Sequence, residues 1–277
     1  RIEIFNIEFY GTEQGDVSTD LTLSSVYNKP GTERLEVYWD ANDISSYPGA
    51  GTTVTDLSGS GVTGTLANGV GFDTEYNAFT FDGTNDVIHG TPPGITGEFV
   101  HSFAGWFYLD SETSTYDYPF FIGSIGSTNQ SSILLSYGQR RIFAAFGQHY
   151  GFYPANGFFP NVGQWYHVCV TYKGGNLSPS SVKLYIDGVA LDIIQETTQT
   201  SALNIGANHV SLGASNSAGT GSPTNGRIGN FRLFSKALNA EQVKELYDWQ
   251  KDHFLGSRSS MTLYKGNLGL GVAEPTA

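Results

Sequence analysis

Short runs in which apolar residues take every second position recur along most of the chain, separated by clusters of Gly, Asn, Asp and Pro. That period belongs to half-buried strands, and the spacing fits a sandwich rather than strand–helix–strand units. Strands are predicted over Phe99–Leu109, Pro119–Gly123, Ser131–Ser136, Arg141–Phe146, Gln164–Tyr172, Val182–Ile186, His209–Leu212 and Arg227–Phe234. In Trp165–Tyr172 both alternating faces carry large side chains, as a central strand buried on both sides requires. Asp187-Gly188 lies between two alternating segments and suits the positive φ angles of a tight hairpin. One helix stands out: Asn239 and Gln242 have the spacing of a capping box, and Val243, Leu246, Tyr247 and Gln250 fall on one face behind it. Trp106, Trp165, Val170, Leu184 and Phe231 are expected in the core.

The opening run Arg1–Tyr10 alternates strictly and reads as a strand, but a long polar stretch separates it from the main body. Residues 1–33 are therefore expected to be an N-terminal strand and linker, the end of a preceding domain. Residues 34–255 form the sandwich domain, and 256–277 an extended, Gly-punctuated connector. On this reading the chain is a segment of a longer polypeptide.

Composition narrows the partners. Of 277 residues 39% are hydrophobic and 14% aromatic, enough to fill the space between two sheets. Only 14% are charged, and 26 acidic against 14 basic residues give a net charge of -12. Such a surface repels phosphate backbones and anionic lipid, so neither nucleic acid nor membrane insertion is expected. No apolar run approaches the ~20 residues of a spanning helix. The single cysteine, Cys169, cannot form an internal disulfide and reads as a small core residue.

Candidate chemistry follows from residue types. Sugars stack their apolar faces on aromatic rings while neighbouring polar groups bind their hydroxyls. Tyr116, Tyr118, His149, Tyr150, Phe152, Tyr153 and Phe158, with Phe159, are the aromatic residues gathered in segments read as loops. They face either a glycan or protein: packing under long loops and contact with a neighbouring subunit are equally open. The six histidines show no ligand-type clustering, and His167 reads as a buried imidazole. Dense oxygen clusters occur at Asp40, at Asp56, and at Asp82, Asn85 and Asp86, without a complete EF-hand pattern; turn formation is their plain alternative. Asn129 and Asn176 open two glycosylation sequons.

Five ordered segments resemble the laminin-G-like (concanavalin A-like) jelly-roll family: DLSGSGVTGTL from Asp56, FTFDGTNDVI from Phe79, GQWYHVCVTY from Gly163, KLYIDGV from Lys183 and GRIGNFRLFSKALNAEQVKELY from Gly226. The resemblance implies an all-β, two-sheet antiparallel jelly-roll sandwich with one short C-terminal helix. It also implies a structural calcium ion, with Asp40, Asp56, Asp82, Asn85 and Asp86 as its candidate ligands. Relatives of this fold include glycoside hydrolases, whose paired carboxylates share one strand; no Glu-x-Asp-x-x-Glu pattern occurs here, so a non-catalytic binding or adhesion module is expected. The alternative is a glycoside hydrolase or lyase whose acids have moved. The tail SSMTLYKGNLGLGVAEPT resembles segments of structural proteins of large DNA viruses of algae. That implies a capsid-associated or fibre protein on the virion surface, binding glycans or other virion proteins, the alternative being a secreted protein.

Overall fold

The computed structural model describes residues 30–256 apart from 114, 126–128, 148–149 and 198–200, together with the backbone of 261–264 and 267–270. The chain divides into two compact units, one of them Tyr27–Leu255. Of the other unit only a hairpin, Met261–Tyr264 with Asn267–Leu270, is described, so the extended connector expected there contains paired strands. The predicted strand Arg1–Tyr10 lies outside the described residues.

Among the described residues the main unit holds seventeen strands in chain order. The first six are β1 Leu35–Asp40, β2 Thr53–Val54, β3 Gly64–Ala67, β4 Gly71–Asp73, β5 Ala78–Asp82 and β6 Val87–Gly90. Next come β7 His101–Leu109, β8 Tyr116–Gly123, β9 Gln130–Ser136, β10 Arg141–Gly147, β11 Tyr150–Pro154 and β12 Trp165–Tyr172. The last five are β13 Val182–Ile186, β14 Val189–Leu191, β15 Ile193–Gln195, β16 Val210–Leu212 and β17 Asn225–Phe234, followed by helix α1, Ala240–Phe254.

Two antiparallel sheets form the sandwich, as expected. One has eight strands in the order β14-β13-β12-β7-β17-β5-β4, with β1 also paired to β17; the other has nine, in the order β15-β11-β10-β9-β8-β16-β6-β3-β2. The long strand β17 serves two partners on one side, β5 along Asn225–Ile228 and β1 along Asn230–Phe234. The register against β7 shifts between Ile228 and Asn230. Gly229 lies in this bulge, and a Cβ there would meet the Phe254 ring at 2.2 Å, so the bulge seats the end of the helix.

Between the sheets Phe103, Phe107, Phe120, Ile133, Val170, Leu184 and Phe231 interdigitate. His101 crosses this layer: one ring nitrogen lies 2.7 Å from the Phe99 carbonyl oxygen and the other 2.8 Å from Ser131 Oγ. All eight residues of β12 are buried, which needs cover on both faces. The helix provides it, laying Val243, Leu246, Gln250 and Phe254 on the outer face of the eight-stranded sheet. The predicted capping box is present, Gln242 N–H donating to Asn239 Oδ1 at 2.9 Å and Asn239 N–H to Gln242 Oε1 at 3.1 Å. Trp106 and Trp165 are buried as predicted, but under the helix with Phe254 rather than between the sheets. The hairpin at Asp187-Gly188 has φ of 50° and 78°, as its sequence demands.

Two differences from the expected strands bear on the site. β8 begins at Tyr116, not Pro119; Pro119 falls where the β8–β9 register shifts, the place a sheet tolerates a residue without an N–H. Residues 150–154, read as a loop, form β11 between β10 and β15.

Candidate functional site

Among the described residues of the main unit, no helix lies on the outer face of the nine-stranded sheet. Alternation sends Phe120, Ile122, Ile133, Leu135, Ala144 and Phe152 into the core, and their neighbours along each strand to the outside. On β9 and β10 the outward positions include Leu134 opposite Phe143 and Ser132 opposite Ala145; on β11 Gly151 lies opposite Ala145. Small residues thus form a floor, with rings beside it. Gly151 is part of the device, since a Cβ there would approach the Phe143 ring to 2.7 Å. The turn Ser215–Ser222 and Glu196 close the sides, giving a groove of about 720 Å³ that Tyr116, Tyr118, Leu134 and Phe143 also line. This is the size of a small-molecule site, and its lining is mixed, with rings and small apolar residues facing Gln139, Glu196, Thr197 and the hydroxyls of Ser215, Thr220 and Ser222.

Ring contacts set the walls. Tyr118 meets Phe121 edge-on at 5.5 Å, and Phe143 meets Tyr153 edge-on at 5.6 Å. The Arg141 guanidinium sits 3.9 Å from the Tyr153 ring centre and pairs with Glu196 at 3.3 Å. Glu196 also accepts from Gln139 Nε2 at 3.1 Å. Burial raises the Tyr118 phenol above its ordinary pKa, against a hydrogen bond with Gln130, so it is neutral at pH 7. Asp117 is buried, accepting from Tyr137 Oη at 2.5 Å and from Thr113 Oγ1. Burial pushes its carboxyl up to about 6.

A second cavity, about 540 Å³, adjoins the first at Tyr116 and Ser222 and is lined by Asp82, Ser111, Glu112, Thr113 and Asn225. None of the described residues lining either cavity is Lys, Arg or His.

The structure separates the predicted ligand-binding residues. Tyr116 and Tyr118 line the groove, and Tyr153 borders it through Phe143. Phe152 is withdrawn as a contact residue: it is core, 1% exposed, because β11 is a strand and its alternate residue points inward. Phe158 packs edge-on against Tyr166 at 5.5 Å, on the core side, and leaves the site as well. His149 and the Tyr150 side chain lie outside the described residues. Leu134, Phe143, Ala145, Gly151 and the Thr220–Ser222 turn were not anticipated. Their available signal was the fall in size along the outward positions of β10, Phe143, Ala145 and Gly147.

The five predicted calcium ligands do not converge, and they do not fit a common ion site. Asp40, Asp56 and Asp82 each accept from the N–H two residues ahead, in Asn42, Ser58 and Thr84, the geometry of an Asx turn. Asp56 is further occupied by the N–H groups of Tyr38, Gly61 and Val62. Asp86 Oδ2 accepts from Asp82 N, and the Asn85 carbonyl accepts from Asn68 Nδ2 at 2.8 Å. Among the described residues no group of three His, Cys, Asp or Glu is placed to hold a metal ion. No helix among them is long and apolar enough to cross a membrane.

Two sheets face to face, one backed by a helix and the other bearing an open groove, define a lectin-like sandwich. The chain belongs to the concanavalin A-like lectin/glucanases superfamily, whose laminin-G-type model matches residues 81–244. No curated protein matches it by sequence. Among solved structures it is similar to domain 4 of AbnA, a GH43 extracellular arabinanase from Geobacillus stearothermophilus, in complex with arabinotriose. There the TM-score is 0.54 and the identity 19%, over 77% of this chain and 98% of that one. It is also similar to Trypanosoma rangeli sialidase in complex with sialic acid, with TM-score 0.56 and 14% identity over 80% of this chain. The chain spans about a third of the sialidase, 34%. At these identities the likeness is one of fold.

Proposed function

We propose that this chain is a non-catalytic carbohydrate-binding module that holds a neutral glycan in the groove across β8–β11. The observation that carries the reading is the groove itself: phenolic and phenyl walls over a floor of small residues, without a cation among its described lining residues. Aromatic walls offer stacking surface to sugar rings, and the hydroxyls of Ser215, Thr220, Ser222 and the two tyrosines offer partners to sugar hydroxyls. A carboxylated sugar would meet Glu196 already ion-paired with Arg141, and a net charge of -12, instead of a dedicated basic clamp. Hydrolysis with retention needs two carboxyl groups about 5–5.5 Å apart, and Glu196 is the one carboxylate among the groove's described lining residues.

A glycan array carrying neutral and sialylated chains, followed by calorimetry, tests this reading. Neutral chains should bind, and Tyr118→Ala should remove the binding. Preferential capture of sialylated chains would overturn it. Release of reducing ends from a bound chain would favour the enzyme reading, towards which the likeness to glycosidase domains points. A place on a virion rests on the tail resemblance, and antibody labelling of purified particles tests it.

A further inference from the structure

The groove does not end at Tyr116. That ring is 44% exposed and lines both the groove and the neighbouring 540 Å³ cavity, as does Ser222. Ser222 holds a left-handed φ of 50°, rare for a residue with a side chain, and its carbonyl accepts from Tyr118 N–H at 3.2 Å. Backbone strain of this kind persists where surrounding structure enforces it, and it clusters at ligand sites. Here it sets the edge that the two cavities share. The second cavity differs in chemistry, with hydroxyls from Ser111 and Thr113, the Asn225 amide, and carboxylates from Asp82 and Glu112. Each cavity alone falls within the ~300–1,000 Å³ of a small-ligand pocket. A single sugar leaves most of the paired space to water.

We propose, building on the glycan reading, that the ligand is a linear neutral oligosaccharide that crosses Tyr116, stacking units in the groove and binding hydroxyls of further units in the Ser111–Asn225 cavity. The aromatic part supplies affinity for any short chain. The polar part reads chain length. Glu112 is paired with Arg140 on the rim and Asp82 accepts through one oxygen from its own turn, so each carboxylate keeps a further oxygen able to accept from sugar hydroxyls.

Calorimetry with arabino-, xylo-, cello- and manno-oligosaccharides, graded from disaccharide to hexasaccharide, tests the extension. In the unaltered protein affinity should rise by about tenfold or more between trisaccharide and hexasaccharide, about 1.4 kcal/mol for each factor of ten. Ser111→Trp, at an exposed loop position that fills the second cavity, should abolish that rise and leave trisaccharide affinity unchanged. Glu112→Trp replaces it should the first variant melt early. Equal affinities for tri- and hexasaccharide, or a rise that survives both substitutions, would overturn the extension while trisaccharide binding keeps the groove reading. Failure of every saccharide to bind would remove both.

Discussion

The two outer faces of the sandwich are built from similar residues and put to opposite uses. Outside the eight-stranded sheet, Trp106 stacks on Phe254 at 4.8 Å and on Tyr247 at 5.6 Å. A polar chain runs beside them. Arg232 Nη2 donates to Tyr38 Oη at 2.6 Å, Tyr38 Oη to Asp40 Oδ2 at 2.6 Å, Gln250 Nε2 to the same carboxylate at 2.9 Å, and Asn230 Nδ2 to Gln250 Oε1. Outside the nine-stranded sheet, rings of the same kinds end in a groove, and Tyr116 remains 44% exposed. The difference teaches that aromatic content alone does not mark a binding surface. What marks it is whether another element of the chain covers the rings.

The largest expected effect lies on the covered face. Trp106→Ala removes a fully buried indole from its stack with Phe254 and Tyr247, and such truncations cost about 3–5 kcal/mol. Denaturant unfolding should show a loss of that size, with glycan binding intact at temperatures where the variant stays folded. A loss under about 1 kcal/mol would mean that the helix does not seal this face.

Next comes the polar chain. Asp40 is 2% and Arg232 5% exposed, and they are joined through the Tyr38 hydroxyl. Removing the carboxylate therefore leaves the buried Tyr38 Oη and Gln250 Nε2 without their acceptor, a change that costs about 1–3 kcal/mol for each group left unsatisfied. Asp40→Ala should approach that figure, whereas the double variant Asp40→Asn with Arg232→Met should recover much of it. A double variant no better than the single one would show that the network is held by packing and not by charge.

Much of this contrast was legible in the sequence, but unevenly. β12 announced itself by large side chains at all positions, and α1 by its capping box, because both signals are local. Burial of Trp106 was foreseeable too. Its face was not, since a strand covered on both sides carries apolar residues in both registers. β11 escaped because Phe152 and Tyr153 are both aromatic, so alternation between core and groove leaves no alternation in polarity. The groove was half visible through Tyr116 and Tyr118. Its remaining members meet only through strand pairing, Leu134 with Phe143 and Ala145 with Gly151, and no local pattern encodes that register. The acidic clusters stay ambiguous for the opposite reason: an Asx turn and an ion-binding loop use the same residues.

A smaller, pH-dependent effect separates the layers. Burial depresses His101 to about 4 and His167, on the helix side, to about 3. The unfolded chain therefore binds their protons first, and stability falls as pH drops from about 6.5 towards these values. Asp117 runs the other way: its folded value of about 6 lies above the 3.8 of a free carboxyl, so its contribution is present in acid and is lost as pH rises through about 6. Among the largest of these shifts two histidines outweigh one aspartate. Smaller shifts of both signs, His209 lowered and Asp86 and Asp187 raised by burial, oppose one another. The expected balance is a net loss on acidification. Melting followed from pH 7 to 4 should show it, and Asp117→Asn should steepen it by removing the opposing group. A flat profile would mean that the histidines open to water.

The smallest expected effect sharpens the comparison most. Tyr116 is as large a ring as those under the helix, yet it stands at the rim of both cavities, and among the described residues of the main unit none buries it. A residue kept for binding gives up burial that would otherwise stabilise the fold. Tyr116→Ala should therefore change unfolding free energy by no more than about 0.5 kcal/mol, the range of exposed positions away from special structure. The same substitution should weaken binding of a neutral oligosaccharide by about tenfold, the equivalent of 1.4 kcal/mol. Trp106→Ala should give the reverse pair, a large loss of stability and unchanged affinity per folded molecule. Chemical denaturation and calorimetry on both variants place each on a plane of stability against affinity. If Tyr116→Ala destabilises as Trp106→Ala does, the ring belongs to the structure of the nine-stranded sheet, and the open face loses the residue that most distinguishes it from the covered one.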